Sequence, residues 1–230
     1  EHGYVSDQSS FNQIIYEFEH KSPEERLFLF NVTIQNHGSY TVGNYPAEVT
    51  LTDEPGKYPM AEQYLTLANK SDEAFQLLVD YFIHQDEPTI ILMFGDHQPS
   101  VEQEFLDKAY GVTQDNMTME QYMDKYKTPF LIWANYDLPD DQIPTSSLNF
   151  LGQYLLSYAG IEASTYENYL TDFQQKLPAM TFVGYVDANG KAYSHLETND
   201  YTSMIEDYRT FAYDNLFGGQ TRHAQYYQAP

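Results

Sequence analysis

The chain of 230 residues contains no cysteine, which excludes disulfide bonds, thiol nucleophiles and cysteine-ligated zinc. No apolar run approaches the roughly 20 residues that a membrane-spanning helix needs, so we expect a soluble segment without a transmembrane helix. The first residues also lack the pattern of a signal peptide. The chain opens at Glu1 rather than at a methionine, which indicates a processed or excised piece of a longer protein.

Basic residues are scarce: 11 lysines and arginines stand against 34 acidic residues, for a formal net charge of −23. Nucleic acid is therefore not expected as a partner, because contacts with phosphate need positive charge. The field of the chain would also oppose an anionic phosphate or sulfate substrate, and a divalent cation would be the natural local remedy. With 42% hydrophobic residues, the chain can still bury a sizeable core.

Helical and strand patterns alternate over the first three quarters of the chain. Helical spacing of apolar residues predicts a helix that begins near Ser6, a long helix over 64–82 and another helix over 147–156. Short apolar runs predict buried strands at 27–34, 90–94 and 129–134. This alternation predicts an α/β fold over residues 1–177, with a mostly parallel sheet and helices on both faces.

The remaining residues, 178–230, have a different pattern. Asn189-Gly190 stands between two short strand-like runs, which is a strong signal for a β-hairpin. A helical pattern follows over 201–216. We therefore predict a second, small domain over 178–230, formed by an antiparallel β layer with a helix.

Two of the predicted strands end in a histidine motif. His37 follows the first strand in Asn36-His37-Gly38, and Asp96 and His97 follow the second in Gly95-Asp96-His97. Ligands bind at the carboxyl ends of strands in open α/β sheets, and a carboxylate with an imidazole suits zinc or manganese. Each motif alone could also be a turn or a surface histidine. Their occurrence at two strand ends favours a metal-dependent site.

Four segments occur in an order that resembles a known family: FLFNVTIQNHGSY, YLTLANKSDEAFQLLVDYF, TIILMFGDHQPS and TPFLIWANY. In this order they resemble sulfatase-like proteins of the lipoteichoic acid synthase type, within the alkaline phosphatase superfamily. Such proteins are membrane-anchored enzymes at the outer face of bacterial membranes. Their extracellular domain transfers phosphoglycerol from a lipid to a polymer of the cell envelope.

The resemblance implies specific roles for three residues. Asp96 and His97 match the metal-binding pair of the family, and His37 matches the histidine that contacts the substrate phosphate and takes part in catalysis. The cofactor implied is one divalent ion, Mn²⁺ first, with Zn²⁺, Mg²⁺ and Ca²⁺ as alternatives. We expect His37 within about 8 Å of Asp96 and His97, so that one phosphate can bridge them.

The resemblance also implies that part of the catalytic machinery is missing. The family's threonine nucleophile and glutamate ligand belong to the first half of the catalytic domain, and no segment here resembles them. The chain therefore resembles the C-terminal half of that domain, and alone it is expected to be inactive. Two alternatives stay open: a sulfatase or phosphodiesterase of the same superfamily, and an inactive α/β fragment that acts as an interaction module.

Overall fold

The computed structural model describes residues 3–41, 43, 45–140 and 142–229. Helices and short strands alternate along this part of the chain, and none of its helices is long and apolar enough to cross a membrane. The helices are α1 (Asp7–His20), α2 (Pro59–Phe82), α3 (Gln103–Tyr110), α4 (Met119–Asp124), α5 (Leu151–Tyr158), α6 (Thr165–Lys176) and α7 (Thr202–Phe217). The strands are β1 (Ile90–Phe94), β2 (Phe130–Ala134), β3 (Ala179–Met180), β4 (Gly184–Val186) and β5 (Ala192–Ser194).

The chain forms two compact units. Unit 1 contains Glu1–Thr89 and Pro99–Asn116, and unit 2 contains Ile90–Gln98 and Met117–Pro230. The predicted division between residues 177 and 178 stays a prediction. Within unit 2, one hydrophobic cluster joins Phe173 and Leu177 to Tyr185 and Ile205.

Unit 1 is organised around the two helices α1 and α2. Ser6 caps α1 as predicted, because its hydroxyl accepts a hydrogen bond from the Ser9 amide at 3.1 Å. The ring of Phe18 packs edge-on against the ring of Phe82 at 5.1 Å between centres. The helix α2 ends at Phe82 as predicted but begins earlier, at Pro59, because proline is well suited to a first helical turn.

The predicted strand over 27–34 is wrong for the described chain. This segment is not assigned to any strand, and all its residues are exposed, with Phe28 at 78% and Phe30 at 73%. A strand is defined by the hydrogen bonds that it makes to a neighbour, and no described residue pairs with 27–34. The apolar pattern therefore marks a segment suited to a sheet but not paired in one.

The strands β1 and β2 form a two-stranded antiparallel sheet, in which Ile90 lies opposite Ala134 and Phe94 lies opposite Phe130. The predicted parallel orientation is wrong for this pair. Both runs are apolar enough for either orientation, and the orientation depends on the path of the connection between them. Both strands were predicted to be buried, but they are only partly buried.

The C-terminal part of unit 2 confirms the predicted antiparallel layer. The strands pair in the order β3-β4-β5, and the loop between β4 and β5 turns at Asn189-Gly190. Oδ1 of Asp187 accepts hydrogen bonds from the amides of Asn189 and Lys191, at 2.9 and 3.0 Å, which holds this turn. Since α7 follows as expected, the mixed α/β class with a small antiparallel layer and a helix is confirmed.

Candidate functional site

The predicted metal ligands Asp96 and His97 lie in the loop that directly follows β1. The base of this loop is bonded to the segment before β2: Gly95 donates from its amide to the carbonyl of Pro129 at 3.1 Å, and the Thr128 hydroxyl donates to the carbonyl of Gly95 at 2.6 Å. The side chains of Asp96 and His97 are 80% and 70% exposed. The hydrogen bonds of Gly95 therefore fix the backbone at the start of this loop, while the side chains of Asp96 and His97 are accessible to a ligand.

The hydrogen bonds of His97 determine which ring nitrogen can bind a cation. Nδ1 of His97 lies 2.9 Å from the carbonyl oxygen of Gln98, and a carbonyl only accepts, so Nδ1 carries the proton. In the neutral imidazole, Nε2 then has a free lone pair. Nε2 lies 3.7 Å from Oδ2 of Asp96, while Oδ1 of Asp96 accepts a bond from the His97 amide at 2.9 Å. Two acceptor atoms thus face each other, an arrangement that a cation stabilises.

This pair fits a divalent metal by its geometry and its donor atoms. Metal–ligand bonds of about 2 Å allow one ion to contact both Oδ2 of Asp96 and Nε2 of His97 at their present separation. A carbonyl that orients the second ring nitrogen is the usual outer contact of a metal-binding histidine. Within the described residues, however, no group of three or more histidines, aspartates and glutamates could hold a metal. The pair is therefore two ligands of a site rather than a full set.

His37 lies in unit 1, at the turn that follows the exposed segment 27–34. Nδ1 of His37 donates to the carbonyl of Gly38 at 2.7 Å, and the ring packs edge-on to Tyr4 at 5.7 Å between centres. The side chain is exposed, and its Nε2 makes no hydrogen bond to any described residue. Asp96 and His97 belong to unit 2, so the expected approach of His37 to them stays a prediction.

A buried polar network lies beside His37, and the sequence patterns did not predict it. The Ser71 hydroxyl accepts hydrogen bonds from the side-chain amides of Gln35 and Asn36, at 3.1 and 2.8 Å, and donates to Oδ2 of Asp7 at 2.5 Å. The amide of Asp7 in turn donates to Oε1 of Gln35 at 3.1 Å. One signal was present in the sequence: Ser71 is a polar residue on the apolar face of α2. This network connects α1 and α2 to the turn that carries His37.

Two oxygens of this network have no partner within the described residues. They are Oδ1 of Asp7 and Oδ1 of Asn36, both buried. Buried polar atoms usually bind another group or an ordered water, so these two oxygens are acceptors of the network that the described side chains leave unpaired. The network is held by several bonds, and it orients the backbone immediately before His37.

Relatives of the chain are named for carbohydrate modification. A Rhizobium meliloti (strain 1021) protein named for cyclic β-1,2-glucan modification is 29% identical over 224 residues, 94% of this chain and 34% of that protein. The capsular polysaccharide biosynthesis protein RkpI of the same organism is 31% identical over 96 residues, 42% of this chain and 16% of that protein. The chain thus spans about a third of the length of the first of these relatives.

One solved structure has the same fold. The Streptococcus pyogenes phosphoglycerol transferase GacH, solved in complex with sn-glycerol-1-phosphate, superposes with a TM-score of 0.69 and 19% sequence identity. The match covers 98% of this chain and 53% of the GacH chain. At this level of identity the match shows a shared fold.

A sequence model of a protein family agrees with the structural match. The model described as Sulfatase matches residues 1–161, which is more than half of the chain and includes His37, Asp96 and His97. This chain belongs to the sulfatase family.

Proposed function

We propose that the protein containing these residues is a metal-dependent enzyme that transfers phosphoglycerol from a lipid to a glucan of the cell envelope. The single observation that carries the metal-dependent chemistry is the pair of facing acceptors, Oδ2 of Asp96 and Nε2 of His97 at 3.7 Å. The phosphoglycerol donor is supported by the fold shared with GacH. The glucan acceptor is supported by the name of the relative that matches 94% of the chain.

In this proposal, Asp96 and His97 hold the divalent ion, Mn²⁺ first, with Zn²⁺, Mg²⁺ and Ca²⁺ as alternatives. When bound, such an ion stabilises negative charge on a phosphate oxygen and offsets the acidic field of the chain. His37 contacts the transferred phosphate through Nε2, because its Nδ1–H already bonds to Gly38. As an imidazolium it would stabilise developing charge or give its proton to the leaving oxygen.

The nucleophile and the remaining metal ligands come, in this proposal, from a part of the protein outside these 230 residues. The two-ligand pair supports this division, because catalytic metal sites ordinarily have at least three protein ligands. The chain alone is therefore expected to show no turnover. A lipid donor would place the active protein at the outer face of the bacterial membrane.

The test uses the full-length protein with phosphatidylglycerol as donor and unsubstituted β-1,2-glucan as acceptor. Formation of diacylglycerol should require added Mn²⁺. Asp96→Asn and His97→Gln should each lower the rate by more than about 10–100-fold, which is the loss that replacing an outer-shell partner of a metal ligand causes. Mn²⁺ binding, measured by electron paramagnetic resonance, should weaken in the same variants. His84→Gln is the matched control, since His84 is an exposed histidine at the end of α2.

Unchanged turnover and unchanged Mn²⁺ binding in Asp96→Asn and His97→Gln would refute the assignment of the metal site. Hydrolysis of an aryl sulfate, without release of diacylglycerol, would instead identify a sulfatase. Turnover by the 230 residues alone would show that the nucleophile lies within them.

A further inference from the structure

A cleft in the C-terminal part of unit 2 lies between the antiparallel layer and α7. It has a volume of about 380 Å³, within the range of pockets that bind small ligands. Its lining combines aromatic and charged side chains: Phe182, Tyr185, His195, Glu197, Glu206 and Arg209. None of these residues has a role in the metal site described above.

An aromatic row leads to this cleft. The ring of Phe182 packs edge-on against Tyr126 at 5.0 Å, and Tyr126 packs edge-on against Tyr122 at 5.9 Å. Phe182 is 78% exposed. An apolar ring that is positioned by a neighbour yet left open to solvent offers a flat surface on which a ligand can stack.

Polar groups of the cleft are also held in place. Nε2 of His195 donates to the carbonyl of Thr181 at 2.8 Å, so Nδ1 is left as an acceptor. The guanidinium of Arg209 bonds to Glu206 at 2.9 Å and retains further N–H donors. Glu197 adds a second, exposed carboxylate. The cleft thus presents several acceptors and some donors around one aromatic surface.

The groups that line the cleft disfavour an anion, a metal ion and an apolar peptide as ligands. An anion would meet two carboxylates, one of them already paired with Arg209, in a chain of net charge −23. A metal ion would find no group of three acidic or histidine ligands among the described residues. An apolar peptide would cover the carboxylate of Glu197 without offering it a hydrogen bond. A neutral ligand rich in hydroxyl groups satisfies donors, acceptors and the aromatic face together.

We infer that this cleft and the row formed by Tyr122, Tyr126 and Phe182 bind a neutral saccharide, the glucan acceptor of the reaction. The inference rests on the proposed function for the identity of the sugar. It adds the site: the saccharide stacks on Phe182, its hydroxyl groups donate to Glu197 and to Nδ1 of His195, and they accept from Arg209.

The test titrates the chain with unsubstituted cyclic β-1,2-glucan, without metal or phosphoglycerol donor. Binding should be saturable, and the NMR signals of the Met180 and Ile205 methyl groups, which line the cleft, should shift. Phe182→Ala should lower the affinity for the glucan by about tenfold, as expected for loss of an aromatic anchor. Glu197→Gln, which keeps the shape of the side chain, should also weaken binding.

The matched control is Phe217→Ala. Phe217 is likewise an exposed aromatic residue, at 68%, that packs against a tyrosine, Tyr213, at 5.3 Å, but it does not line the cleft. Absence of saturable binding, shifts confined to other methyl groups, or equal weakening by Phe217→Ala would each overturn the inference. This assay measures binding and not turnover, so the two proposals can fail separately. Glucan binding at the cleft without phosphoglycerol transfer by the full-length protein would refute only the proposed reaction. Transfer without binding at the cleft would refute only the proposed glucan site.

Discussion

The hydroxyl of Ser71 donates a 2.5 Å hydrogen bond to Oδ2 of Asp7, a residue 64 positions earlier in the chain. Both side chains are buried, at 5% and 1% exposure. The bond joins the middle of α2 to the first turn of α1, and the same hydroxyl accepts bonds from the two residues that precede His37. The position of a candidate catalytic histidine therefore depends on a contact far from it in sequence.

Replacing Ser71 by alanine should destabilise unit 1. The substitution leaves the buried Oδ2 of Asp7 and the partly buried amide of Asn36 without this partner. A buried polar group that loses its bond costs about 1–3 kcal/mol. We expect a decrease of that size in the free energy of unfolding, measured by urea denaturation. Ser157→Ala is the control: Ser157 is exposed in α5, so its replacement should change the free energy by a few tenths of a kcal/mol at most. Equal effects of the two substitutions would contradict the network.

The exposed segment 27–34 should contribute little to the stability of the chain. Phe28 is 78% exposed, so Phe28→Ser should change the free energy of unfolding by less than about 0.5 kcal/mol. Phe82→Ala, at a side chain only 3% exposed, should cost about 3–5 kcal/mol by the same urea measurement. A loss above 2 kcal/mol on replacement of Phe28 would, on the same scale, mean that its ring is buried in solution.

The stability of unit 1 should depend on pH through Glu54. A hydrogen bond from Lys108, with a second from Lys57, lowers the pKa of Glu54 from 4.5 to about 2. A carboxylate with a lowered pKa stabilises the fold above its ordinary pKa, and that contribution is lost as pH falls towards the folded value. Glu54→Gln should therefore flatten the pH dependence of urea unfolding between pH 4.5 and 2.

The control for this pH dependence is Glu24→Gln, since Glu24 is an exposed carboxylate of the same unit. The slope of this variant is the reference with which the slope of Glu54→Gln is compared. A slope equally steep in the Glu54→Gln variant would show that the bonds to Lys108 and Lys57 do not persist in solution.

Two glycines of unit 2 should respond oppositely to alanine. A Cβ at Gly184 would clash with the carbonyl oxygen of Tyr193 and with Cε of Met119, so Gly184→Ala should cost about 1–3 kcal/mol of unfolding free energy. A Cβ at Gly152, in α5, would meet nothing within 4 Å, and Gly152→Ala should stabilise by about 0.5–1 kcal/mol. Thermal unfolding of both variants tests this pair, and a stable Gly184→Ala variant would contradict the close packing of β4 on β5 and α4.

The candidate site could be predicted in part. Asp96 and His97 are neighbours in sequence after an apolar strand, so their proximity follows from the chain itself. The tautomer of His97 could not be predicted, because it depends on the direction of the Gln98 carbonyl. The surroundings of His37 could not be predicted either, since Ser71 of α2 bonds to Gln35 and Asn36, the two residues that precede His37.

The fold could be predicted where local signals were sufficient. The cap at Ser6, the end of α2 at Phe82 and the turn at Asn189-Gly190 each depend on residues close in sequence. Two predictions were wrong, and both concerned the partner of a strand: the orientation of β1 against β2 and the pairing of 27–34. Hydrophobic patterns indicate that a segment can be buried but do not identify what covers it.

The sequence by itself determined the cap of α1, the end of α2, the hairpin turn, the excess of acidic charge and the adjacency of Asp96 and His97. These properties depend on composition and on contacts within a few residues, which backbone sterics and local hydrogen bonds decide. Only the tertiary structure decided that Ser71 bonds to Asp7, that β1 and β2 run in opposite directions, and that Phe182 faces solvent beside a cleft. Each of these depends on residues that are distant in the chain, and their contacts exist only after the chain has packed.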